Sequence, residues 1–137
     1  MAYLLDTDVI SEIGKKRPNS HVQSWFAGVR ATDLHLSVLT VGEIRQGVER
    51  LCGKDAKRAA SIDAWLAELV SRFRDRIAPV FLEESQTWGR LNAGGPLPAV
   101  DGLLAATALT HDWILVSRNE KDLARTGVRL LNPFSDA

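Results

Sequence analysis

Residues 2–13 read AYLLDTDVISEI, and this stretch decides the fold. It opens with a short apolar run that stops abruptly at Asp6, which predicts a buried strand. The apolar residues then recur at helical spacing, as Val9, Ile10 and Ile13, until Gly14 ends the pattern. A strand followed at once by a helix indicates an α/β protein, and the turn between the two elements carries an acid.

The rest of the chain repeats this alternation of strands and helices. Further strands are predicted at residues 34–36, 80–82, 113–116 and 128–131, and helices at 20–29, 37–51, 55–73, 83–91 and 99–110. No Asn-Gly hairpin signal separates the strands, so we expect a mainly parallel central sheet with helices on both faces. We find no repeat or linker, and we therefore predict a single domain that spans residues 1–137.

Composition excludes several classes of protein. The 17 basic side chains balance the 17 acidic ones, which argues against coating nucleic acid through bulk positive charge but leaves a local basic patch open. A single cysteine cannot form an internal disulfide, and there is no Cys/His cluster for zinc. The sequence has neither a signal-peptide pattern nor the apolar run of about 18 residues that a membrane helix requires. We expect a soluble cytoplasmic protein without membrane contact.

Four acids are candidates for chemistry. Asp6 follows the first strand and Asp122 lies beyond strand 113–116, at the end of the strands where open α/β sheets bind ligands. Asp101 falls in the first turn of a nearly apolar helix, and Glu43 lies at the edge of an apolar stripe. Each has an ordinary structural interpretation. Asp6 can cap a helix, Asp101 can interact favourably with the dipole at a helix N-terminus, and Glu43 can join a surface ion pair. Asp122 can be a surface loop residue.

Convergence of these acids has a definite physical consequence. Two like charges about 4 Å apart repel by roughly 1 kcal/mol in water and about 4 kcal/mol at an effective dielectric of 20. A cluster of three or four carboxylates in a dry pocket is therefore unstable unless protons or a cation relieve the repulsion. Oxygen-only ligation favours a hard cation, so the expected ion is Mg²⁺ or Mn²⁺ rather than Zn²⁺.

Four segments resemble the motifs of one family, in order and in spacing. They are residues 4–12 (LLDTDVISE), 37–44 (SVLTVGEI, with a glycine at 47), 101–108 (DGLLAATA) and 115–123 (LVSRNEKDL). The ending from residue 126 to 133 also fits. On these motifs the chain resembles, over nearly its whole length, the PIN-domain ribonuclease toxins of the VapC family, which belong to VapBC type II toxin–antitoxin systems.

The resemblance implies a Mg²⁺- or Mn²⁺-dependent endoribonuclease, a hydrolase that cleaves RNA phosphodiesters in substrates of the tRNA or rRNA class. Its catalytic residues would be Asp6, Glu43, Asp101 and Asp122, with Asp6 and Asp101 as metal ligands and Thr7 or Asn119 in support. The metal would activate a water molecule and neutralise charge in the transition state. The resemblance also implies a homodimer, and inhibition by a cognate VapB-like antitoxin whose C-terminal tail enters the toxin's groove.

Asp8 and three cations near the motifs also bear on the site. Asp8 stands where these toxins more often carry Asn, which adds a negative charge beside the site and leaves the role of Asp6 intact. The candidates for binding RNA phosphates are three cations close in sequence to the acidic motifs, namely Arg118, Arg45 and Lys121. We rank Arg118 first because it directly follows a strand end.

Two other functions stay open at the level of sequence. Asp6 and Asp8 after an apolar strand also resemble the first motif of haloacid-dehalogenase-like phosphatases, in which one Asp is the nucleophile and the other a general acid. That hypothesis leaves Glu43 and Asp101 without roles. The third hypothesis is a binding domain without catalysis. An Asp8→Asn variant separates the two enzymes, because a phosphatase would lose its acid while the nuclease would keep RNA cleavage.

Overall fold

The computed structural model describes residues 1–135, and in that part of the chain five strands alternate with seven α-helices. The strands are β1 (Tyr3–Leu5), β2 (Leu34–Ser37), β3 (Ile77–Ala78), β4 (Ile114–Val116) and β5 (Leu130–Leu131). The helices are α1 (Thr7–Ile13), α2 (Ser20–Ala27), α3 (Val38–Cys52), α4 (Ala56–Arg72), α5 (Leu82–Ala93), α6 (Ala99–His111) and α7 (Glu120–Leu123). The predicted α/β fold class is confirmed.

The sheet is parallel throughout, with the strand order β3-β2-β1-β4-β5. The chain builds from β1 to β3 on one side and then crosses back to place β4 against the other side of β1. This reversal makes the junction of β1 and β4 the topological switch point, where open α/β sheets bind ligands. The backbone N–H of Asp6 donates to the Val116 carbonyl at 2.9 Å, which joins the ends of these two strands.

Helices cover both faces of the sheet, as predicted. Successive residues of a strand face opposite sides, and Leu4 and Leu5 of β1 enter different core clusters. Leu5 packs with α1 and α3 residues such as Val9 and Ile44, whereas Leu4 packs with α6 residues such as Leu104. None of the described helices is long and apolar enough to cross a membrane.

One predicted strand, at residues 80–82, is wrong. The strand lies before Pro79, at Ile77–Ala78, where it pairs with the end of β2. Proline has no N–H to continue such a ladder. Phe81 instead precedes α5, its N–H donates to the Glu84 carboxylate at 2.8 Å, and its side chain is 69% exposed. The apolar run that suggested a strand is therefore the start of a helix.

Candidate active site

Asp6 occupies the switch point and also caps α1. Its side chain is only 6% exposed, with Oδ1 accepting from the Thr7 N–H and Oδ2 from the Ser117 hydroxyl, each at 2.7 Å. Burial raises the pKa of Asp6 to about 6, and the negative charges of Asp101 and Asp8 act in the same direction. The hydrogen bonds from Ser117 and Thr7 act against this rise. A cation bound here would therefore offset both the cost of burying the ionised Asp6 carboxylate and its repulsion from Asp101.

The loop after β4 joins Asp6 to two further acids. The buried Ser117 hydroxyl, which donates to Asp6, accepts from the Asn119 backbone N–H at 3.0 Å. The Asn119 side-chain amide donates to Asp101 Oδ2 at 2.9 Å and to Asp122 Oδ2 at 3.3 Å. Acids from the end of β1, the first turn of α6 and α7 are thus connected through two polar residues of one loop.

Thr7 extends this network to α3. Its hydroxyl donates a short hydrogen bond to Glu43 Oε1. The Thr40 hydroxyl lies 3.2 Å from the Thr7 hydroxyl. The helix α3 begins at the same edge of the sheet because Ser37 caps it, accepting from the Leu39 N–H at 3.0 Å. Glu43 follows in the second turn of α3. Hydrogen bonds therefore link all four predicted acids in what we call the acidic network.

A family model described as PIN domain matches residues 3–128. The chain belongs to the PIN-domain family. The VapC ribonuclease Y4jK of Sinorhizobium fredii is 30% identical, with 98% of this chain and 99% of that protein covered. Toxin FitB of Neisseria gonorrhoeae is also 30% identical, with 97% and 99% covered.

A solved structure agrees with these relatives. The crystal structure of FitAcB from Neisseria gonorrhoeae superposes on this PIN domain with a TM-score of 0.88 at 30% identity, over 96% of this chain and 98% of that chain. The predicted membership in the VapC type of PIN-domain protein is confirmed. The phosphatase alternative is not supported. It leaves Glu43 and Asp101 without roles, whereas the structure connects both acids to Asp6 through hydrogen bonds.

Two of the three cations proposed to bind RNA, Arg118 and Lys121, adjoin the acidic network of the PIN domain in sequence. Arg118 is flanked on both sides by members of that network. Arg45 donates to Asp63 of α4 at 2.7 Å, a hydrogen bond that raises the pKa of its guanidinium. Lys121 is exposed on α7, and within residues 1–135 it donates no hydrogen bond to the acids. Lys121 directly precedes Asp122, whereas Arg45 pairs with Asp63 rather than with these acids.

Sequence reasoning assigned no catalytic or metal-binding role to two residues of the network, Ser117 and Thr40. Ser117 had a usable signal, because it directly follows the strand that pairs with β1 at the switch point. Thr40 precedes Glu43 by three residues, a spacing that places both on one face of α3. Asp6 both caps α1 and belongs to the acidic network, so its structural and functional interpretations are compatible.

The donor set of this PIN domain fits a hard divalent cation. Mg²⁺ is commonly held by one or two carboxylates while it keeps several water ligands. Asp6 and Asp101 repel each other and provide such a pair of oxygen donors, and the network contains neither His nor Cys. Across residues 1–135, no group of three or more His, Cys, Asp or Glu side chains is placed to hold a metal ion. The pair therefore suits an ion that retains water.

Proposed function

We propose that this protein is the toxin of a type II toxin–antitoxin pair and acts as a Mg²⁺- or Mn²⁺-dependent endoribonuclease on RNA of the tRNA or rRNA class. The observation that carries the proposal is the hydrogen-bonded network that links Asp6, Glu43, Asp101 and Asp122 at the switch point. The VapC ribonuclease and the FitB toxin, each 30% identical over nearly the whole chain, support it.

The residues of the network would have different roles in catalysis. Asp6 and Asp101 would hold the cation, which when bound supplies an activated water and neutralises charge on the phosphodiester. Ser117 orients the Asp6 carboxylate, and Asn119 orients that of Asp101. The Thr7 hydroxyl engages Oε1 of Glu43, so Oε2 is the oxygen that can position the attacking water or take its proton.

We further propose that a VapB-like antitoxin occupies a groove beside the acidic network. This groove has a volume of about 750 Å³, lies between α1, α3 and α4, and reaches Thr7 and Glu43. Its lining includes apolar side chains and cations, namely Ile44, Leu51, Ile62, Trp65, Lys15, Lys16 and Arg58. An amphipathic segment with acidic groups would complement both kinds of residue.

A second copy of the chain is the other partner that we propose. Phe81 and Leu82 at the start of α5 are neighbouring large apolar residues that are 69% and 75% exposed, and contiguous exposed apolar surface often marks an interaction site. A homodimer that covers them would remove this apolar surface from water.

The test of the enzyme is RNA cleavage by the purified protein, with bulk tRNA and rRNA as substrates and added Mg²⁺ or Mn²⁺. We expect Asp6→Asn and Asp101→Asn to slow cleavage by about 100-fold or more, the scale of losing one transition-state stabilising group. Asp8→Asn removes the same charge two residues from Asp6 and should keep cleavage, so it is the matched control. Sequencing of RNA 5′ ends after brief induction identifies the cleaved bond.

The opposite pattern would reject this function. A phosphatase should hydrolyse a phosphate monoester and lose that activity in Asp8→Asn, while RNA stays intact with the wild type. A binding domain without catalysis should cleave neither substrate.

A further inference from the structure

Arg118 lies between two residues that fix the acids of the network. Ser117 donates its hydroxyl proton to Asp6, and Asn119 donates its side-chain amide to Asp101. Because both neighbours are held, the backbone of Arg118 is held as well. Its exposed side chain therefore starts from a defined point beside both proposed metal ligands.

The ring of Phe134 supports this side chain. The guanidinium carbon of Arg118 lies 4.0 Å from the ring centroid, in cation–π geometry. Phe134 is half-buried and packs against the core cluster that contains Leu5. Asn132 accepts from the Phe134 N–H at 3.0 Å and donates to the Glu120 carboxylate at 3.2 Å. The ring is thus anchored to both the core and α7.

The Arg118 guanidinium keeps hydrogen-bond donors beside its contact with Phe134. The group has five in-plane N–H donors, and no acceptor within residues 1–135 takes one of them. The guanidinium of Arg45, by contrast, is bonded to a carboxylate, and that of Arg76 to backbone carbonyls. A guanidinium whose N–H donors have no protein acceptor can bind phosphate through two parallel hydrogen bonds.

Glu12 of α1, an acid on which the positive charge of Arg118 acts, is already hydrogen-bonded to other residues. Glu12 of α1 accepts from Lys15 Nζ at 2.8 Å and from the Asn19 N–H at 2.9 Å. These bonds lower the pKa of Glu12, and the positive charge of Arg118 adds to the effect. Glu12 and Arg118 therefore interact through space, without a hydrogen bond that would consume the guanidinium donors.

We propose that Phe134 is a positioning residue that holds Arg118 to bind an RNA phosphate next to the cleaved bond. The proposal rests on the ribonuclease function proposed above and adds a phosphate subsite to it. A phosphate is the ligand, rather than a stacked base, because the groups of Arg118 that no acceptor in residues 1–135 engages are charged N–H donors.

The experiment measures the binding of a short, fluorescein-labelled, single-stranded RNA of mixed sequence by fluorescence anisotropy at several salt concentrations. An Asp101→Asn parent prevents cleavage during the measurement. Arg118→Gln should weaken binding about tenfold, as expected for one charge-assisted hydrogen-bonding contact. It should also reduce the slope of log affinity against log salt by about 0.7, the share of one phosphate contact on a single strand.

A double-mutant cycle tests the role of Phe134. Phe134→Leu keeps apolar volume but removes the ring, and it should weaken binding about three- to fivefold when Arg118 is present. It should have no further effect in the Arg118→Gln background, and Phe134→Tyr should retain the parent affinity. Thermal melting confirms that each variant is folded at the assay temperature.

Arg129→Gln is the matched control. Arg129 bonds to Asp112 at the amino ends of β4 and β5, whereas Arg118 follows the carboxyl end of β4. This variant should therefore stay within about twofold of the parent affinity, because salt screens distant charges. An unchanged affinity and slope in Arg118→Gln would overturn the phosphate subsite. An equal effect of Phe134→Leu in both backgrounds would overturn the positioning role. If instead the wild type cleaves no RNA, the proposed function itself fails.

Discussion

At the scale of single residues, Asp6 combines a structural and a chemical task. Its Oδ1 caps α1 through the Thr7 N–H, and its Oδ2 accepts from the Ser117 hydroxyl. An ionised carboxylate has about four lone-pair sites, so these two bonds leave capacity for a cation. They also fix the carboxylate plane, which is what an orienting set of hydrogen bonds does for a metal ligand.

His35, at the amino end of the sheet, is a second residue whose charged form is disfavoured in the folded protein. Its ring stacks on Trp113 with centroids 4.1 Å apart, and His111 also stacks on Trp113, at 4.3 Å. Burial lowers the pKa of His35, and the positive charges of Arg76 and His111 lower it further, while Asp33 acts in the opposite direction. The folded protein therefore favours neutral His35.

We expect acid to weaken the protein partly through His35. Below the ordinary histidine pKa of about 6.5, the unfolded chain takes up this proton before the folded chain does. The stability from neutral His35 is therefore complete above about pH 7 and is lost as the pH falls through the lower folded pKa. His35→Phe keeps a ring beside Trp113 but cannot be protonated. Urea denaturation should show that it loses less free energy of unfolding between about pH 7.5 and 5.5 than the wild type; equal losses would contradict this.

At the scale of elements, the approach of α6 to α5 decides where Asp101 lies. Gly102 follows Asp101 and faces Trp88, and a Cβ at Gly102 would lie 3.1 Å from Cδ1 and Nε1 of that indole. The Nε1 atom of Trp88 is buried and has no hydrogen-bond partner in the described chain. The two helices thus pack closely at the turn that presents a proposed metal ligand.

Filling this contact should separate the two helices. We expect Gly102→Val to lower the free energy of unfolding by roughly 1–3 kcal/mol, the usual cost of overpacking. Gly89→Ala on α5 is the matched control, because no atom lies within 4 Å of a Cβ there. It should stabilise the protein by about 0.5–1 kcal/mol through helix propensity. Urea denaturation measures both, and a Gly102→Val protein as stable as the wild type would show that close packing is not required.

The elements differ in how far sequence could predict them. α3 was predictable because its apolar residues recur at helical spacing after a capping Ser37. β3 was not, because a strand of two residues, Ile77–Ala78, has no periodicity and depends on pairing with the distant β2. The role of Thr40 was hidden for a similar reason, since its partner Thr7 comes from another element.

At the scale of the whole molecule, strand order assembles the site. The order β3-β2-β1-β4-β5 makes β4 a neighbour of β1, although more than a hundred residues separate Asp6 from Ser117 in sequence. Local periodicity cannot indicate this order; the ordered motifs of a known family could. Zero net charge likewise conceals the local excess of acids at one edge of the sheet.

Cation binding should therefore stabilise the molecule as a whole. A ligand that binds only the folded state adds about 2.7 kcal/mol at 100 times its Kd, which corresponds to a rise in Tm of roughly 5–10 °C for a domain of this size. We expect Mn²⁺ to raise the Tm of the wild type and of Asp8→Asn in a saturable manner, and to have little effect on Asp101→Asn. An undiminished shift in Asp101→Asn would place the ion elsewhere, and no shift in the wild type would contradict the proposed metal site. Because the readout is thermal stability, the result does not depend on knowing the RNA substrate.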